Sequence, residues 1–114
     1  MGCSSHAYYD EAMRYMEKVM QVLVEKNLCK SKTDCSRREM VLWSAGAWKL
    51  GPLKGGGVQI SVYQVSSAET GEAIVTRCRA LRPEMPDVPV NIAIYSVAHN
   101  QSPGKSNLVA HAEF

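Results

Sequence analysis

Residues 57–99 constrain the fold most, because an alternating apolar run, a helical run and a second alternating run follow one another there without a break. Val58, Ile60 and Val62 have Gln59, Ser61 and Tyr63 interleaved with them, and Val88, Val90, Ile92 and Ile94 have Asn91 and Ala93 between the later members. A period of two marks strands that bury one face. Between the two runs, Ile74, Cys78 and Leu81 recur at helical spacing. Strand, helix and strand in succession make a crossover unit, which requires a sheet with a helix laid over it.

The rest of the chain builds outward from that unit. Over residues 7–28, Tyr9, Met13, Met16, Met20, Leu23 and Val24 form one stripe, with Asp10, Glu11, Arg14, Glu17, Lys18, Gln21 and Glu25 around the remainder. This pattern predicts an amphipathic helix whose methionines face the core. Residues 39–50, with Met40, Val41, Leu42, Trp43 and Trp48 around a small Ser44-Ala45-Gly46-Ala47 centre, read as a strand. Residues 51–57, which hold Gly51, Pro52, Gly55, Gly56 and Gly57, read as a long hairpin tip. Ser66 with Glu69 three positions on forms a capping-box pattern that opens the second helix, and Pro83 and Pro86 end it before the last strand. Residues 108–114 read as a short edge strand or a loose tail. The expectation is an α+β fold of helix, strand, strand, helix and strand, with two helices on one face of a three-stranded sheet. Residues 1–6 are assigned to a leader, 7–99 to a single domain and 100–114 to a carboxy-terminal loop with that optional strand.

A chain of 114 residues with 46% hydrophobic content has room for one modest core. Its net charge of +2, from 13 basic and 11 acidic residues, is too balanced for a phosphate-tracking surface, so no nucleic-acid partner is expected. The densest basic patch, Lys30, Lys32, Arg37 and Arg38, reads as a solvated loop.

Chemistry-bearing residues form no recognisable catalytic set. His6, His99 and His111 have no metal-ligand spacing, and no cofactor or metal is expected. A Cys78–His99 pair would need Cys78 exposed, yet its helical position points it into the core. Ser66 and Ser67 are explained by helix capping. Asp10 with Glu11, and Glu69 with Glu72, read as surface carboxylates. The glycine-rich residues 51–57 precede a strand rather than a helix and lack a following Lys-Ser/Thr, which argues against a phosphate loop and for a hairpin tip. The alternation sends Tyr63, Ala93, Tyr95 and Val97 to the sheet face away from the helices, and one register adds Val41 and Trp43. Such an apolar outer face is covered either by residues 108–114 or by a protein partner or second copy, with Trp43, Tyr63 and Tyr95 as the interaction surface.

Gly2-Cys3-Ser4-Ser5 resembles the junction of a bacterial lipoprotein, where a small residue precedes the cysteine that carries lipid after signal-peptide cleavage. The competing myristoylation pattern wants Ser or Thr where His6 stands. The resemblance implies a signal peptide ending at Gly2, a lipid on Cys3, contact with membrane through that lipid alone, and a periplasm-facing protein. Ser4 after the cysteine implies the outer membrane. In such an oxidising compartment Cys29 and Cys35, which bracket a polar loop, are expected to form a disulfide, although Cys78 competes for either if the first helix ends beside it. The element order is also similar to that of the BON domain, a small module of bacterial envelope proteins associated with phospholipid and partner binding. Three functions follow in order of preference. The first is a non-catalytic envelope lipoprotein that binds a protein, as a secretion or transfer component or an immunity-type inhibitor. A BON-like phospholipid-surface module comes second, and an enzyme with an unrecognised site third.

Overall fold

The computed structural model describes residues 4–50, 53–81, 89–101 and 104–114. The elements in chain order are α1 (Ser4–Glu25), α2 (Lys32–Arg37), β1 (Val41–Leu50), β2 (Leu53–Val62), α3 (Ala68–Ala80), β3 (Val90–Tyr95), a 3-10 turn at Lys105–Asn107, and β4 (Leu108–Glu113). This is an α+β fold, but its sheet has four strands in the order β1-β2-β3-β4. β1 and β2 are antiparallel, β2 and β3 parallel, and β3 and β4 antiparallel. The parallel pair is joined through α3, because parallel neighbours need a crossover. The carboxy-terminal segment is an edge strand.

Val58, Ile60, Val62, Val90, Ile92 and Ile94 are all buried, as the alternation requires. Burying a side chain of this size contributes about 1.5–3 kcal/mol. α1 and α3 cover this face together. Tyr15 on α1 donates its hydroxyl to the Cys78 carbonyl of α3 at 2.6 Å, and Gly71 on α3 lies close against Val109 and Ala110 of β4.

Five expectations are corrected by the structure. The buried face of α1 is Ala12, Tyr15, Val19, Val22 and Leu23 with Met20, whereas Tyr9 and Met13 are exposed. Glu11, expected on the surface, is buried and ion-paired with Arg14 at 2.9 Å. The glycine-rich residues 53–57 belong to β2 rather than to a loop, pairing with Gly46, Ala47, Trp48, Lys49 and Leu50 of β1 as far as Leu53. The polar loop with its basic patch contains the helix α2, whose N-cap Ser31 accepts the Asp34 N–H at 3.1 Å. The N-cap of α3 is Ser67, one residue later than the capping box placed it.

The ends of α1 and α2 are closed by left-handed residues. After α1, Asn27 has φ 64°; its N–H reaches the Val24 carbonyl and the Leu28 N–H reaches that of Leu23. After α2, Glu39 has φ 50°, with the Glu39 N–H on Ser36 and the Met40 N–H on Cys35. Both are Schellman motifs, in which two otherwise orphaned carbonyls are satisfied. Between them the Cys29–Cys35 disulfide, with Cα atoms 5.5 Å apart, ties the end of α1 to α2. Met40 Sδ lies 3.5 Å from Cys29 Sγ, so a thioether seals this link inside the core. Cys78 is the buried free thiol. Cys3 and residues 82–88, with Pro83, Pro86 and Val88, lie outside the described residues. α1 begins at Ser4, inside the stretch assigned to the leader.

Candidate interaction surface

Register decides which side chains share the face turned away from the helices. Val62 and Ile94 point into the core, so Tyr63 and Tyr95, one residue further, point to the other side. Their rings stack there, with centroids 5.6 Å apart and planes inclined by 22°. The His99 ring meets the Tyr63 ring edge-on at 6.4 Å, and His99 Nε2 lies 3.1 Å from a Glu39 carboxylate oxygen. His99 Nδ1 is buried and has no hydrogen-bond partner among the described residues. The result is a compact aromatic cluster, half-buried and half-exposed, at one end of the open face. Backbone bonds from the Gln64 N–H to the Val97 carbonyl and from the Val65 N–H to the Tyr95 carbonyl lock the two chain segments that carry it.

Trp43 is not part of this cluster. β1 pairs with β2 so that Trp43 stands opposite Ile60 and Val41 opposite Val62, which puts both on the helix side. Trp43 accordingly packs against the core and meets Tyr9 of α1 edge-on at 5.9 Å. The outer face also proves more polar than expected. Ser44, Gln59, Ser61, Asn91, His111 and Glu113 fall on it, and His111 Nε2 lies 2.9 Å from Asn91 Oδ1. Residues 108–114 do not fold over this face, because β4 extends the sheet sideways beside β3. Among the described residues the aromatic end is therefore open.

Other chemistry is separated by the same layers. Cys78 lies under the helices with no exposed surface, and burial pushes its thiol up to about 12, while His99 stands beside Tyr63 on the other side of the sheet. The two form no nucleophilic pair. Burial, with a smaller contribution from Cys78, also raises the Tyr15 phenol well above its ordinary value. Among the described residues, no group of three or more His, Cys, Asp and Glu side chains is placed to hold a metal ion. An open groove of about 790 Å³ runs between α1 and α2, lined by Met13, Met16 and Met20 together with Asp10, Glu17, Lys32 and Arg37. The methionine stripe is thus only partly core.

In the sequence His99 stands out only as a candidate ligand or partner of Cys78, and its pairing with Glu39 is not legible there, since 60 positions separate the two and neither carries a motif. Among the described residues no helix is long and apolar enough to cross a membrane. No protein-family model matches the chain, and no curated protein or solved structure matches it either.

Proposed function

We propose that this chain is a non-catalytic domain of a bacterial cell-envelope lipoprotein that binds a protein partner through the Tyr63–Tyr95–His99 end of its open sheet face. In this reading the domain faces the periplasm, Cys3 carries the lipid that holds it at the outer membrane, and the partner belongs to a secretion or transfer apparatus or is a toxin that the domain inhibits. The observation that carries the reading is the open aromatic stack, 5.6 Å between ring centroids and uncovered by helix or tail. Stacked tyrosines offer large, rigid contact area at little conformational cost, and each keeps a hydroxyl for the partner. The disulfide adds support for an oxidising compartment, where such bridges persist.

Proteins encoded beside the gene are the first partners to test by titration calorimetry. The Tyr63→Ser/Tyr95→Ser double variant is expected to keep its circular dichroism spectrum and to weaken binding by about 2 kcal/mol per anchor. A folded variant that binds as tightly as the parent refutes this surface. Metabolic labelling with a lipid precursor tests Cys3, and a protein that stays unlabelled in its native host, expressed from its own gene, removes the anchor. Equal binding to bare anionic phospholipid vesicles by parent and double variant would favour the BON-like reading instead.

A further inference from the structure

We infer that β1 pairs edge to edge, antiparallel, with the β1 of a second copy, joining two sheets into one. The backbone fixes which groups are available. The Tyr63 N–H donates to the Met40 carbonyl at 2.9 Å, so residue 40 and every second residue after it turn their N–H and C=O toward β2. The Val58 N–H, bonded to the Pro89 carbonyl, confirms the parity from the other side, because Val58 stands opposite Ala45 and faces away from β1. Val41, Trp43, Ala45, Ala47 and Lys49 therefore present their backbone donors and acceptors at the open edge.

The two edges of the sheet differ in how they are protected. β4 is six residues long, begins beside a register shift between Ile94 and Tyr95, and carries His111 and Glu113. These are the devices that keep an edge from pairing. β1 has ten residues, a continuous register with β2 and no proline, and its one charge, Lys49, stands next to its last residue. One competent edge per chain closes the assembly at two copies and leaves a protected β4 at each end, so a filament does not follow.

The occupant is a second copy because of the hairpin's own geometry. Among the described residues β3 pairs with β2 only from Val58 to Val62, so Leu53–Gly57 and the facing half of β1 form an arm in which the described strands number two. Two strands alone are marginal in water. A two-fold axis through Ala45 pairs Val41 with the copy's Lys49, Trp43 with the copy's Ala47, and Ala45 with itself. This register uses every outward-facing backbone group on both strands, and it lays each arm along the body half of the other β1. The yield is about ten hydrogen bonds, the number carried by a typical stable interface.

Sedimentation equilibrium of the full chain tests the inference, together with amide exchange followed residue by residue. A dimer is expected, with twice the 12.6 kDa mass. In it the amides of Val41, Trp43, Ala45 and Ala47 are protected at least about tenfold relative to an open edge, alongside those of Leu42 and Ser44, which β2 already protects. Ala45→Pro removes an outward donor without touching the β1–β2 ladder, and it is expected to give a folded monomer. A monomer at all concentrations overturns the inference. So does a dimer in which only alternate amides of β1 are protected, or a folded Ala45→Pro variant that stays dimeric. If that variant unfolds, the exchange pattern of the parent protein decides alone.

Discussion

Gly57 stands where β2 stops being half of an arm and becomes an interior strand, and its replacement by alanine should be among the most damaging single changes in the protein. Its φ of 149° belongs to a region that side chains rarely adopt. A Cβ there would collide with the Pro89 carbonyl oxygen and lie 3.2 Å from both the carbonyl carbon and the Cβ of Pro89. That oxygen cannot move away freely, since it accepts the Val58 N–H at 2.9 Å, the bond that starts the parallel ladder. Backbone strain costs about 1–3 kcal/mol, and forcing the strands apart or losing the bond adds about 1–2 kcal/mol. The expected loss is about 4 kcal/mol, against a total stability of about 5–15 kcal/mol for a domain of this kind. With an m-value of about 2 kcal/mol/M in urea, the unfolding midpoint falls by about 2 M at unchanged slope. Gly104→Ala is the control, because among the described residues its added Cβ meets only Asn107 Oδ1 at 3.8 Å; it should stay within about 0.5 kcal/mol of the parent. A Gly57→Ala midpoint equal to that of Gly104→Ala would refute the Val58–Val90 register and, with it, the point at which the arm leaves the sheet.

Replacing Cys29 and Cys35 together by alanine opens a loop of sequence separation 6 and should lower stability by about 2 kcal/mol on loop-closure entropy, read as a urea midpoint shift that reductant no longer changes. Gly71→Ala sets a helix-propensity gain of about 1 kcal/mol against an added Cβ 2.8 Å from Val109 Cγ1. The clash should win, with a net loss of about 1 kcal/mol, and a more stable variant would mean that α3 sits further from β4. Stability should also fall in alkali: burial lifts the Cys78 thiol from 9.0 to about 12 and raises the Tyr15 phenol as well. Both folded groups hold their protons where the unfolded chain releases them, so their contribution is intact below pH 9 and is lost as pH rises towards 12. Thermal melts of the parent and of Tyr15→Phe across that range check it, the variant showing the shallower decline.

The crossover unit was legible because six positions, Val58, Ile60, Val62, Val90, Ile92 and Ile94, agree on one face, and all six are buried there. Trp43 was not legible for a reason intrinsic to strands. Moving a register by one residue exchanges the two faces, and the connection between β1 and β2 sets that parity through Leu50 opposite Leu53. A glycine-rich reading made the connection too long, because glycine composition alone does not reveal that Gly46, Ala47 and Trp48 offer ladder partners to Gly57, Gly56 and Gly55. In α1 the stripe was placed on large residues such as Met13, and the small Ala12 and the polar-tipped Tyr15 were passed over, although burial needs shape and a partner for the hydroxyl rather than size alone. α2, six residues long, is too short to show a period. The Glu39–His99 contact is long-range, and nothing in either residue's local sequence announces it.

Three non-glycine residues with positive φ are found among the described residues, and two of them, Glu39 and Gln64, flank the aromatic cluster. Glu39 is the carboxylate partner of His99, and Gln64 follows Tyr63 and ties it to Val97. A left-handed conformation costs a side chain about 1–2 kcal/mol, and such strain persists where surrounding contacts over-determine the backbone, as at sites that hold side chains in fixed positions. Gln64 is exposed and its N–H bond to Val97 would survive in glycine, so Gln64→Gly isolates the backbone contribution. Relief of about 1–2 kcal/mol is partly offset by the larger entropy of the unfolded glycine chain, about 0.4–1 kcal/mol. The variant should be as stable as the parent or about 0.5 kcal/mol more stable. The same substitution at Gln21, exposed on α1, should instead lose about 1 kcal/mol, since glycine is unfavourable within a helix. Urea unfolding of the two variants side by side reads the difference of about 1–2 kcal/mol. If Gln64→Gly is destabilised as much as Gln21→Gly, the turn after β2 stores no strain, and Tyr63 is held in place by its ring contacts alone.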